Sequence, residues 1–305
     1  MIVEFIDGHK ELYGVEPICA QLKELGCGFA PSSYYEARDR KDSARTVRDA
    51  ELKEAILKEY DENYRCYGAR KMWLELRSGQ GIDVARCTVE RLMKTLGLQG
   101  ARRGPVKRTT VPDPAATRAQ DLVKRNFRPL APNKLWVADF TYVSTLAGWV
   151  YVAFVIDAYA RRILGWKVST SMTTDLVLHA INQAIFSRYR EGVKDLSGLI
   201  HHNDAGSQYT SVRFTERLIE AGIDASIGTV GDAHDNSLAE SINGLYKTEL
   251  IKPRRPWRNA NHVEAETAAY LDWFNNRRLY EYCGDMPPAK LEGIFYSALG
   301  ANGVA

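Results

Sequence analysis

The chain has few cysteines and nothing that pairs them. Cys19, Cys27, Cys66, Cys87 and Cys283 are scattered along 305 residues. No C-x-x-C pair occurs, which argues against a zinc ribbon, and the odd, dispersed set argues against a disulfide framework. Long apolar runs are missing, so no bilayer-spanning segment is expected, and the acidic N-terminus is unlike a secretion signal. Internal repeats and sustained heptads are absent. Strong net charge is absent too: 41 Lys+Arg against 38 Asp+Glu leave +3. A reduced, cytoplasmic setting fits, and bulk charge alone does not announce a polyanionic partner.

What is present is unevenly spread. A composition of 45% hydrophobic and 26% charged residues suits a globular chain, and the length suggests two or three domains. Between Leu98 and Leu130 stand eight basic residues and two acids. A second run, "KPRRPWR" from Lys252 to Arg258, has four basic residues and no acid. Such blocks suit a polyanion, although most charge runs are solvated surface.

The first hundred residues have helical periods. "EPICAQLKELG" places Ile18, Leu22 and Leu25 on one stripe before a glycine stop. "APSSYYEARDR" and "RDAELKEAILKEY" suggest further helices. "GARKMWLELRSG" and "DVARCTVERLMKTLGL" follow, the latter with Val89, Leu92, Met93 and Leu96 as its apolar stripe. Two helices around a glycine-containing turn, the second with a basic outer face, is the plan of a helix-turn-helix. A helical bundle without a ligand fits the pattern equally well. The expected limits are 1–45 for an N-terminal helical region and 46–104 for the helix-turn-helix-like domain. Prolines and basic residues then mark 105–130 as a semi-extended linker.

Strand signals begin after the linker. "KLWVADFTYV" is apolar on both faces, as a covered strand requires. "WVYVAFVID", "RRILGWKVS", "GLIHHND" and "IDASIG" supply four more, interleaved later with "TTDLVLHAINQAIFSRY", "SVRFTERLIEAG" and "DNSLAESINGLYKTEL" as helices. The expectation is an α/β core over 131–250: a mixed five-stranded sheet with helices on both faces, preceded by an all-α region. Residues 251–305 would be a C-terminal helical extension ending in a proline-bearing tail. Trp136, Trp149 and Trp166 are expected in the core.

Three acids could carry chemistry. Asp139 sits mid-strand between Ala138 and Phe140, where an isolated charge is costly. Asp204 ends the fourth strand, where α/β folds place ligands. Glu240 shares a helical face with Asn243 and Lys247 at i, i+3 and i+7, separate from the Leu238, Ile242, Leu245 stripe. Asp235 competes with Glu240, but it or Asn236 would serve as the helix N-cap. Asp157, at a strand end, is expected to be structural, capping or pairing with Arg161 or Arg162. Three carboxylates without cysteine favour a hard cation, Mg²⁺ or Mn²⁺. The adjacent pair His201-His202 points to opposite sides of a strand and is poorly placed to chelate one ion. His202 would support the strand end or lie near DNA.

The stretches "WVADFTYV", "HHNDAGSQYTS" and "DNSLAESINGLYKTELIK" resemble the D-D-E signature of insertion-sequence transposases of the IS-three family, OrfB type. Between Asp204 and Glu240 lie 35 residues, the spacing of the D,D(35)E class. "RCYGARKMWLEL", "CTVERLMKTLGL" and "DWFNNRRLYEYCGDMPPAKLE" resemble flanking regions of that family, so the likeness covers nearly the whole chain. It implies a retroviral-integrase-like core of ribonuclease H fold. Asp139, Asp204 and Glu240 would then bind two Mg²⁺ ions, with Mn²⁺ as a substitute. Cleavage at element ends and strand transfer into double-stranded DNA would follow. The resemblance also implies a homo-multimer on DNA and an upstream-frame OrfA partner or fusion. One departure is Ala205, where the family usually has a larger polar residue.

Lys247 is the best phosphate contact. Gln208 would touch DNA or fix the turn with Gly206 and Ser207, and Asn243 would meet DNA beside Lys247. Arg86, Thr88 and Arg91 are candidates for groove or phosphate contacts, with surface ion pairs as the alternative. Arg102, Arg103, Lys107 and Arg108 suit phosphates rather than bases. Two rival functions remain: a DNA-binding regulator on an inert fold, and a nuclease for RNA–DNA hybrid. The first would be favoured by a lost acid, yet all three are present. The second finds no support in the 35-residue spacing.

Overall fold

The computed structural model of the chain describes residues 2–103, 122–123, 126–204, 206, 208–228 and 236–302. Most of the expected linker, including Lys107 and Arg108, lies outside the described residues, as do Ala205, Ser207 and Asp235. The chain divides into two compact units, Met1–Leu57 and Lys58–Ala305. In the first, α1 (Ile2–Tyr13), α2 (Val15–Glu24) and α3 (Pro31–Asp39) enclose Ile6, Ile18, Cys19 and Tyr34. The Tyr34 hydroxyl donates to Asp7 at 2.6 Å, so its polar end is satisfied. α1 precedes the first helix expected from periodicity. α4 (Ala44–Glu62) spans the division.

The second unit opens with α5 (Ala69–Leu74), continued by a π-helical turn, Glu75–Gly79, and then α6 (Arg86–Thr95). Val89, Leu92 and Met93 are buried as the period requires, with Met72 and Leu76. The Trp73 indole donates to the Val84 carbonyl at 2.9 Å and closes the connection between α5 and α6.

A five-stranded sheet follows: β1 (Leu135–Thr145), β2 (Gly148–Asp157), β3 (Arg162–Ser169), β4 (Ile200–Asn203) and β5 (Asp224–Ile227). Its order is β3-β2-β1-β4-β5. The first three strands form an antiparallel meander, and β4 and β5 join it in parallel. Parallel neighbours need helical crossovers, which α7 (Thr174–Arg190) and α8 (Val212–Glu220) supply. Trp136, Ala138, Ala153, Val155 and Leu164 pack on one face against α7 and α8. On the other face Phe154 meets Tyr246 of α9 (Ser237–Tyr246) edge-on at 5.1 Å. Helices therefore lie on both faces, in the ribonuclease H-like arrangement. A π-helical turn, Lys247–Ile251, then α10 (Ala260–Asn276) and α11 (Pro288–Asn302) complete the chain.

Three expectations are corrected. Asp157 is structural and caps the turn after β2, where its Oδ1 accepts from the Tyr159 backbone N–H at 2.9 Å, but its charge partner is neither Arg161 nor Arg162. Its Oδ2 accepts from the fully buried Arg188 at 3.0 Å, the Trp136 indole at 3.2 Å and the Asn133 backbone N–H at 2.8 Å. The proline-bearing tail is largely the helix α11, which starts at Pro288, a position where a missing N–H breaks no intrahelical bond. Trp149 is not in the core; it is 56% exposed, whereas Trp136 is fully buried.

Close approach of α7 to the sheet depends on Gly165. A Cβ there would stand 2.0 Å from the Ala180 carbonyl oxygen and 2.8 Å from the Ala184 nitrogen. Both are backbone atoms, so relief requires moving α7 as a whole. Gly165→Ala is expected to destabilise the second unit by about 3 kcal/mol or more, the upper range for overpacking. A fall of the thermal midpoint by less than a degree would contradict this packing.

Candidate active site

Strand register brings the two aspartates together. The parallel pairing of β1 with β4 ends at Ala138 and Asn203. Asp139 and Asp204 are the next residues on each chain, at neighbouring strand positions. The backbone N–H of Phe140 donates to Asp139 Oδ1 at 2.8 Å, and the Asn243 side chain donates to Oδ2 at 2.8 Å. Gly206 N–H donates to Asp204 Oδ1 at 3.2 Å, so the turn holds the second acid.

α9 is pinned over this point from two positions. Asn236, at its start, uses its amide to donate to the Ala138 carbonyl at 3.0 Å rather than to cap the helix. Asn243 is the second pin. Between them Glu240 lies in the first turn, exposed at the surface. Its carbonyl accepts from Arg103 Nη2 at 3.0 Å. The guanidinium lies over Gly244, where a Cβ would come within 2.2 Å of it. Arg103, expected on a phosphate, is thus docked on the helix that carries Glu240.

The electrostatics follow from crowding. Burial pushes the Asp139 carboxyl up to about 8; repulsion from Asp204 and, more weakly, Glu240 adds to this, while Phe140 and Asn243 oppose it. Burial of its carboxyl raises Asp204 as well, against the Gly206 N–H and the His202 ring, although the residue reaches the surface. Burial lowers Lys247, against the pull of the Asp139 charge. Its ammonium stands 4.6 Å from the centre of the Tyr142 ring. Among the described residues, no three His, Cys, Asp or Glu side chains converge closely enough to hold a metal ion. Asp139 nevertheless feels the charges of both other acids. As a donor set they fit a hard cation: all are carboxylates, and a cation offsets both the burial and the repulsion that raise Asp139.

Other candidates fall elsewhere. Gln208 is buried, and its amide donates to the Met172 carbonyl at 3.3 Å, which fixes the turn. Asn243 is buried against Asp139. Arg86, Thr88 and Arg91 lie on α6, where Arg86 pairs with Glu90 at 2.9 Å. Arg102 is exposed. His201 and His202 are both fully buried. His201 packs edge-on to Phe214, and His202 Nδ1 bonds the Ser226 hydroxyl at 2.9 Å. Burial lowers the His201 ring to about 4, with His202 adding to the effect. One neighbour escaped the sequence reading: Tyr209, fully covered, whose acidity is suppressed by burial and by the charges of Asp139 and Asp204. Its only sequence signal is its place in "GSQYTS".

The chain matches three family descriptions. Residues 129–233 match an integrase core domain, 221–288 a second integrase core domain, and 47–106 an HTH-like domain. It is 62% identical over 269 residues to a Mycobacterium tuberculosis protein named as transposase for insertion sequence element IS986/IS6110, covering 88% of this chain and 96% of that one. It is 48% identical over 309 residues to the transposase for insertion sequence element IS629 of Shigella sonnei, covering 100% of both. The transposase for IS3411 of Escherichia coli is 47% identical over 192 residues, covering 61% of this chain and 77% of that one.

A raised acid makes stability depend on pH. Below about 4 Asp139 is protonated whether folded or unfolded, and it contributes nothing. Between there and about 8 the unfolded chain ionises while the folded one stays protonated, so stability falls as pH rises. Above 8 the full cost of the buried charge is present. Asp139→Asn is therefore expected to raise the thermal midpoint of the metal-free protein at pH 8.5, with the gain vanishing near pH 4. An equal shift at both pH values would rule out this origin.

Proposed function

Since the chain belongs to the insertion-sequence transposases of the IS-three family, with a helix-turn-helix-like domain and an integrase core, we propose that Asp139, Asp204 and Glu240 are its catalytic acids. As a transposase it is a polynucleotidyl transferase. On our reading it cuts the 3′ ends of its element with water and joins the freed 3′-hydroxyl to another phosphodiester. The single observation that supports this best is the strand register, which sets Asp139 beside Asp204, with α9 pinned above them by Asn236 and Asn243.

The three carboxylates would hold two Mg²⁺ ions, or Mn²⁺ in their place. Such ions, when bound, activate the attacking oxygen and stabilise the leaving one. The chain's own residues prepare that chemistry. Asn243 fixes one oxygen of Asp139 and so orients the carboxylate. Gly206 does the same for Asp204. Lys247, half-buried on the same helical side as Glu240, would meet a phosphate as a poorly hydrated cation. Arg86, Thr88 and Arg91 on α6 would contact the element ends, with Arg102, Arg103, Lys107 and Arg108 following phosphates. Assembly as a multimer on DNA, with an upstream-frame partner, completes the proposal. No helix among the described residues is long and apolar enough to cross a membrane.

The test uses a supercoiled plasmid carrying the whole element, in Mg²⁺, with the upstream-frame protein present. Asp139→Ala, Asp204→Ala and Glu240→Ala are each expected to abolish end cleavage and strand transfer. Cleavage that survives any of them removes that acid from the mechanism. Asn243→Ala should slow cleavage by about 10- to 100-fold, as loss of a ligand-orienting partner does, with DNA affinity unchanged. Weakened DNA binding with normal turnover would instead make Asn243 a DNA contact. Lys247→Ala should lower affinity across all sequences and reduce the salt slope of binding by about one. An unchanged slope would exclude its phosphate contact.

A further inference from the structure

β1 outruns its parallel partner. It pairs with β4 only over Leu135–Ala138, yet continues to Thr145 in an antiparallel hairpin with β2. Two large aromatic side chains stand out on this extension. Tyr142 is 45% exposed and Trp149 is 56% exposed. They meet edge to face, with ring centres 5.3 Å apart. Lys247 places its ammonium over the outer Tyr142 ring at 4.6 Å. Packing of the sheet does not account for Trp149: the buried cluster on β1 and β2 contains Trp136, Ala138, Ala153 and Val155 and stops short of it.

The position of this pair relative to the acids is set by chain geometry. Tyr142 follows Asp139 by three residues, about 10 Å along a strand. Lys247 follows Glu240 by seven, about 10 Å along a helix. Three residues along a strand also turn a side chain to the opposite face, so Lys247 is the link between the two: it feels the Asp139 charge and stands over the Tyr142 ring beyond the end of the β1–β4 pairing. Stacked nucleotides advance by about 3.4 Å along one DNA strand. A base about three nucleotides from a phosphodiester held at the acids, on a strand passing that open edge of β1, would arrive at this distance.

We propose that Tyr142 and Trp149, with Lys247 beside them, form a stacking site for an unpaired nucleobase flanking the reacting phosphodiester. The inference rests on the proposed function of the three acids. Exposed aromatic faces take bases without regard to sequence, and a neighbouring cation meets the adjoining phosphate. A base inside an intact duplex has no free face to offer. The site therefore takes a frayed or displaced end, which strand cutting and joining must pass through. The cation favours a polyanion over a second copy of the chain as the occupant.

The test is binding without metal, so that no cleavage intervenes. The full chain is titrated in EDTA against a fluorescein-labelled 15-nucleotide oligothymidine and against an abasic oligomer of the same length. Wild type should prefer the oligothymidine, and Trp149→Ala should reduce that preference by about tenfold, the scale of one base–aromatic stack. Trp149→Phe should keep most of it, and Tyr142→Ala should lose a comparable share. Equal preference in wild type and Trp149→Ala overturns the site. So does a Trp149→Ala variant that keeps the preference but loses self-association on a sizing column, which would assign the surface to a second copy. A chain that cuts element ends with Mg²⁺ yet shows no base preference refutes this site alone. One that prefers bases yet cuts independently of the three acids refutes the catalytic assignment instead.

Discussion

Two carboxylates placed just where a parallel strand pairing ends repel each other, and the integrase-core unit is arranged around that repulsion. Burial raises Asp139, and the charge of Asp204 pushes in the same direction. The protein does not remove the conflict by pairing Asp139 with an arginine. It gives the carboxylate two neutral donors, the Phe140 amide and the Asn243 side chain, which orient it without cancelling its charge. A salt bridge there would satisfy the acid and disarm it as a ligand. Like-charged acids left to be neutralised by an incoming cation are the usual compromise between stability and activity.

Buried ion pairs placed elsewhere in the same unit fix how its helices sit. Arg188, fully buried on α7, joins Asp157 at the end of β2 to Glu292 on α11 and to Glu191. Glu249, just after α9, accepts two bonds from the buried Arg278, at 2.9 and 2.6 Å, and a third from the Tyr270 hydroxyl at 2.9 Å. Buried pairs of this kind add little over an apolar substitute, but breaking one strands a charge. They therefore fix where α9, α10 and α11 sit. Because α9 carries Glu240 and Asn243 and leads directly into Lys247, the Glu249–Arg278 pair restrains that helix from its far end.

The sheet was largely legible because its strands alternate or run apolar over five to ten residues, and the helices between them keep a clear period. The aspartates were legible because an acid amid apolar neighbours, or at a strand end, is an expensive choice. What escaped depends on distances that periodicity does not contain. Arg188 reaches Asp157 from 31 residues away, whereas Arg161 and Arg162 merely stand near it in sequence. Trp149 reads as core because its strand alternates properly, yet β1 and β2 project beyond the packed sheet where it stands. Asn243 reads as a DNA contact from its helical face, and periodicity does not show that its side chain also donates to Asp139. The same pattern that placed it beside Glu240 could not tell whether it met ligand or protein.

Arg103 shows the converse, a residue chosen for its charge whose seat the sequence does not show. It lies a few residues beyond α6, where the chain leaves the helix-turn-helix-like region. Its guanidinium rests on the backbone at Gly244 and bonds the Glu240 carbonyl. Any side chain at 244 would displace it, so the glycine and the arginine form one contact. That contact ties the segment leaving the helix-turn-helix-like region to the helix bearing the third acid. A shift of that segment must then either carry α9 with it or break the bond to the Glu240 carbonyl. While the bond holds, the position of the third acid follows the region before it through a single exposed guanidinium.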